Sequence, residues 1–143
     1  MAQLKKARRL SQKGQSIAVF AVMLPLMALF LIGLLDYMVT NARVMEAVAI
    51  SDLSAHAGAQ EILVKPDGRI KSTALGAQVA VTYFNNQTPS YIQMTGVNCG
   101  FIQGRPACRV QAQVRTAGFL FPGQWVTVNA IGYLAHGVTR EDQ

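Results

Sequence analysis

The spacing of apolar residues along the chain changes character twice. From Ile17 to Leu35 the sequence reads IAVFAVMLPLMALFLIGLL, and no charge falls between Lys13 and Asp36. About 20 apolar residues at ~1.5 Å rise span the ~30 Å hydrocarbon core of a bilayer. In lipid the backbone must satisfy its own hydrogen bonds, so the run is predicted to be a transmembrane helix. The competing reading is a buried helix of a soluble protein, but a chain of this length has little else to wrap such a run on all sides. Pro25 lies near the middle, removes one backbone donor and predicts a kink that membrane helices tolerate.

Past the apolar run the helical period continues. Met38, Ala42, Met45, Ala49, Leu53 and Ala57 recur at spacings of three and four, which places them on one helix face. Arg43 and Glu46, and Asp52 and His56, fall on more polar faces. Alanine is dense here, and small residues let helices approach closely. Two partners fit that face equally: the chain's own C-terminal part, or helices of other subunits. Lys65-Pro66-Asp67-Gly68 is turn chemistry and is expected to end the helix.

Beyond the turn the period shortens to two. Ile70 to Ala80 is ambiguous. Val79 to Phe84 has strand composition and ends at the polar stretch Asn85 to Pro89, where Asn86-Gln87-Thr88 matches a glycosylation sequon that is common by chance. Tyr91 to Cys99 reads as a strand. The clearest strand is Cys108 to Arg115, where Cys108, Val110, Ala112 and Val114 alternate with Arg109, Gln111, Gln113 and Arg115. Phe119 to Gly123 is an apolar turn. Trp125 to Leu134 is the last strand, with Val126, Val128 and Ala130 on one face and a bulge expected at Gly132. Such strands need one covered face, and the second half of the long helix is the obvious cover.

Charge narrows the function classes. The net charge of +6 suggests nucleic acid at first sight. However, Lys5, Lys6, Arg8, Arg9 and Lys13 all precede the apolar run, and the rest of the chain is nearly balanced. The basicity is therefore the flank of a membrane helix, and no nucleic-acid partner is expected. Such a flank holds the N-terminus in the cytoplasm and also attracts anionic lipid. Everything after Asp36 then lies outside the cytoplasm, and Asp36 itself is expected in the headgroup region or paired with a neighbour's cation. A secretory signal peptide cleaved near Thr40-Asn41-Ala42 competes, but the apolar run exceeds the usual signal core.

Cys99 and Cys108 flank GFIQGRPA, and in an oxidising compartment a disulfide closing that loop is the natural reading, with free thiols as the alternative. A metal site would need more ligands, and His56 and His136 are distant in sequence. No nucleophile motif, carboxylate pair or phosphate loop is present, so neither catalysis nor a cofactor is expected.

The N-terminal half resembles the TadE/TadG-like pseudopilins of tight-adherence (Flp, type IVb-like) pilus systems. The residues that carry the likeness are Gly14-Gln15-Ser16, Phe20-Ala21, Leu24-Pro25-Leu26, Asp36, and SDLSAHAGAQ from Ser51 to Gln60; less specifically, Cys108 to Tyr133 looks like the end of a short TadE-type protein. The resemblance implies that a membrane aspartyl (prepilin) peptidase cuts between Gly14 and Gln15 and removes the basic leader. The family often carries a glutamate at the fifth position after the cut, where this chain has Val19. Its absence fits a minor or TadG-like subunit better than a bulk fibre subunit.

The expectation is an α+β chain. A basic cytoplasmic leader (1–14) precedes a long helix (15–64, transmembrane over about 16–38), and a β-rich extracytoplasmic domain (65–143) follows. The expected function is structural: a minor pilin or assembly component that packs by its helix with other pilin-like subunits and the assembly platform. A membrane-anchored binding or adhesion module is the alternative. Placement in the inner membrane, N-terminus inside, follows from the charge asymmetry; entry into an extracellular pilus follows only from the resemblance.

Overall fold

The computed structural model describes residues 2–65, 67–119 and 122–135, with side chains described from Ser16 onward. It is an α+β fold: a long N-terminal helix, α1 (Ala2–Gln60), and a small antiparallel sheet laid against its far half. α1 runs unbroken through Gly14 and Pro25. It therefore begins before the expected start at residue 15, and the segment read as a leader shares the helix.

The helix also stops earlier than expected. It ends at Gln60, where Glu61 and Ile62 donate back to Gly58 and Ala59 in a tightened last turn (3.2 and 3.3 Å). The turn read as the helix stop instead joins two short strands, β1 (Leu63–Val64) and β2 (Ile70–Ser72). Ile62 explains the early exit. It is buried with Ala59 and Cys108, so the chain leaves the helix to deliver it there.

The strand expected at Val79 to Phe84 is instead part of a helix, α2 (Ala74–Gln87). Its buried positions, Gly76, Ala80 and Phe84, are spaced by four, while Gln78 and Thr82 between them are exposed; a strand with one covered face would bury every second residue. Local β-branched composition lost to that tertiary pattern. α2 packs on α1 where two glycines meet: a Cβ on Gly76 would lie 2.5 Å from the Gly58 carbonyl.

The main sheet has order β3–β4–β5, with β3 (Ile92–Ile102), β4 (Arg105–Arg115) and β5 (Trp125–Tyr133). The segment between the cysteines is not a loop. Both strands run through it, and the turn is only Gln103-Gly104, both with positive φ, as a tight hairpin of this hand requires. Cys99 and Cys108 face each other directly across the ladder and are joined.

Cys108, Val110, Ala112 and Val114 of β4 are fully buried, and so are Val128 and Ala130 of β5 to within a few per cent. All but Cys108, which packs with Ala59 and Ile62, meet Ala47, Ile50 and Ala55 of α1 and Phe84 of α2 in one core. No bulge occurs at Gly132, which pairs in regular register with Cys108; the irregularity lies at Met94/Gly96. Gly132 has a different task. A Cβ there would overlap the backbone of Ala55 and His56, so this glycine lets β5 touch the helix main chain.

The Gly132→Ala variant is therefore expected to lose about 1–3 kcal/mol or more from overpacking. Gly100→Ala, at a site with no atom within 4 Å of the added carbon, is the control and stays near wild type. Denaturant melts of both variants in detergent check this.

Candidate functional site: the two-faced helix and its arginine groove

α1 has three kinds of surface. Its first part is exposed on every side: Ile17 is 71% exposed, and Phe20, Leu24, Phe30 and Leu35 are likewise open. Among the described residues this is the one helix long and apolar enough to cross a membrane, and none of its most apolar window is buried. Pro25 sits inside this part, and the helix stays continuous there.

Beyond Asp36 the helix becomes two-faced. One face carries small residues, Ala47, Ser51, Ser54, Ala55, Gly58 and Ala59, all buried under the sheet and α2. Ser54 costs little there, because its hydroxyl donates to the Ile50 carbonyl one turn back at 2.6 Å.

The opposite face carries the stripe seen in the sequence. Met45 is 71% exposed and Leu53 is 53% exposed; Met38, Ala42 and Ala49 are also open, and Ala57 is partly covered. These residues do not pack on the chain's own sheet. Among the described residues, the chain's own sheet leaves this face open apart from part of Ala57.

Asp36 is only 7% exposed, so its own chain encloses it. Gly14 and Gln15 are helical in backbone, and their side-chain surroundings lie outside the described residues, as does His136. His56 sits 3.7 Å from Asp52, one turn away, as an exposed pair. Among the described residues no three His, Cys, Asp or Glu side chains gather as a metal would need.

A groove of about 520 Å³ opens between α1 and the end of the sheet, lined by Arg43, Tyr91, Arg115, Gly118, Gly123 and Trp125 among others. Arg43 organises it. Its guanidinium lies 4.8 Å from the centre of the Tyr91 ring, and its Nη1 donates to the Arg115 carbonyl at 3.3 Å. The Tyr91 hydroxyl donates to Glu46. Arg43 and Glu46 thus both turn to Tyr91.

The sequence pattern did not point to this cluster, since Tyr91, Arg115 and Trp125 belong to three different strand ends. A weak signal exists in hindsight: an arginine closing β4 and a tryptophan opening β5 flank the same apolar turn.

The hydrogen bond to Glu46 pushes the Tyr91 phenol above its ordinary 10.0; partial burial and the Glu46 charge add to this, and Arg43 opposes it. A raised phenol keeps this tether between α1 and the sheet in full below 10.0, and loses it as pH rises through the raised value. Glu46→Gln should bring Tyr91 back toward its ordinary value. Ring-labelled tyrosine NMR titrations, with Tyr91→Phe to assign the signal, read this directly.

No family model, curated protein or solved structure matches this chain.

Proposed function

We propose that this chain is a single-pass membrane protein, N-terminus in the cytoplasm and sheet outside, that serves as a minor pilin or assembly component of a tight-adherence pilus or related machine. It works by packing and catalyses no reaction. Its partners are inner-membrane lipid, other pilin-like helices and the assembly platform, and a prepilin peptidase acts at Gly14-Gln15.

The observation that carries this reading is the stripe Met38, Ala42, Met45, Ala49 and Leu53. It continues the apolar segment outward on a face of α1 that the described residues leave uncovered. Alternating methionine or leucine with alanine suits close helix contact, because small residues admit the neighbouring backbone and large ones fill the gaps beside it. A membrane-anchored binding module is the second reading, and the Arg43–Arg115 groove is what favours it.

Met45→Glu and Leu53→Glu should fold normally, since both side chains are exposed. Each should reduce co-purification of pilin-like partners from detergent extracts of the native host by about tenfold or more, which is about 1.4 kcal/mol. Undiminished recovery would reject packing through this face. N-terminal sequencing of the same material should begin at Gln15; a chain starting at Met1 or Ala2 leaves a stationary membrane subunit.

A further inference from the structure

We propose that the membrane-proximal end of the β4–β5 hairpin rests on the outer lipid surface, with Arg43 and Arg115 engaging lipid phosphate and Phe119 and Trp125 entering the interface. This rests on the membrane reading of α1 given above.

Two contacts fix the direction of the hairpin. A Cβ on Gly58 would sit 3.2 Å from the Cys108 sulfur, at the far end of α1, while the Arg115 carbonyl takes a hydrogen bond from Arg43. Fifteen residues of helix and seven of strand separate these contacts, and both lengths come to about 23 Å. β4 therefore runs along the helix with little tilt, back toward the apolar segment, and β5 leaves from that same end.

Heights along the helix follow. Arg43 lies eight residues past Leu35, so ~12 Å beyond the end of the apolar run. The headgroup layer occupies ~5–8 Å of that distance. Phe119 lies four residues beyond Arg115 and can reach up to ~13 Å further along the chain direction. The loop is braced at its base: the Thr116 N–H donates to the Gln124 carbonyl, and the Gln124 N–H donates to the Thr116 hydroxyl, both at 2.9 Å.

The chemistry of this end matches a lipid surface. Phe119 is 67% exposed and Trp125 is 46% exposed. Tryptophan and tyrosine rings collect at the headgroup level of a bilayer. Among the described residues neither arginine lies within ion-pair distance of a carboxylate, and Glu46 is taken by the Tyr91 hydroxyl. The planar guanidinium fork binds phosphate oxygens in pairs. Arginine heads beside aromatic rings on the side that faces the apolar run are what a bilayer interface recognises, whereas a soluble anion would need only the arginines.

Trp125 is the sole tryptophan and so reports its own depth. The full chain is reconstituted in phosphatidylcholine–phosphatidylglycerol nanodiscs, with acyl chains brominated near the glycerol end or near the methyl end. Trp125 should lose more than half of its emission to the shallow bromines, less to the deep ones, and resist aqueous iodide. The Arg43→Gln/Arg115→Gln chain should recover emission and iodide sensitivity; quenching unchanged by that double substitution would overturn the phosphate contact. Phe30→Trp in a Trp125→Phe chain monitors α1 itself. If it is quenched and Trp125 is not, the hairpin inference fails and the membrane reading stands. If neither is quenched, both fail. Trp125 shielded from iodide yet untouched by bromolipid would mean that protein covers the groove, which also overturns the lipid assignment.

Discussion

The fold depends on how closely a helix and a sheet can approach. Ala55 meets β5 at Gly132, and Gly58 meets α2 at Gly76, with no room at either point for one more carbon. The seam of alanine, serine and glycine on α1 makes these approaches possible. The core is thin as a result, and few large side chains fill it: Phe84 is the only fully buried aromatic among the described residues. The cross-strand disulfide compensates. Cys99 and Cys108 are nine residues apart, and closing so short a loop contributes about 2–3 kcal/mol on the chain-entropy model. Cys108 also belongs to the buried cluster with Ala59 and Ile62, so the crosslink braces the sheet where it touches the helix end.

The same seam sorts the functions of the helix. Because the sheet takes the small-residue face, the methionine and leucine face points away. A single helix can then serve lipid at one end, its own sheet on one side and another helix on the opposite side. Nothing in that division requires a pocket or a reacting group. In the proposed arrangement the hairpin end would add a second contact with the same bilayer and restrict how far the domain can swing about the helix exit.

Much of this was legible in the residues, and the failures have physical causes. The apolar run, the continuing helix and the alternation in β4 are strong signals, and each gives an element of the expected type, though α1 starts and ends earlier and β4 starts earlier than expected. The stretch Val79 to Phe84 misled because β-branched composition is a weak preference, overridden by burial of Gly76, Ala80 and Phe84 at helical spacing. The glycines and proline between the cysteines suggested a loop. Yet only Gln103 and Gly104 turn, and Pro106 lies past the end of β5, where its carbonyl accepts from Leu134 at 3.0 Å and no ladder donor is needed. The Arg43 groove was not legible because its members come from distant strand ends, and only the fold brings them together.

The central claim is that the domain beyond α1's apolar run lies outside the cytoplasm while the N-terminus stays within. Asp67, exposed in the turn between β1 and β2, offers a site to test it. An Asp67→Cys chain, with Cys99 and Cys108 replaced by serine and expressed in bacterial cells converted to spheroplasts, is treated with a membrane-impermeant maleimide. Labelling in intact spheroplasts is the predicted result. Labelling only after the membrane is permeabilised would contradict the account.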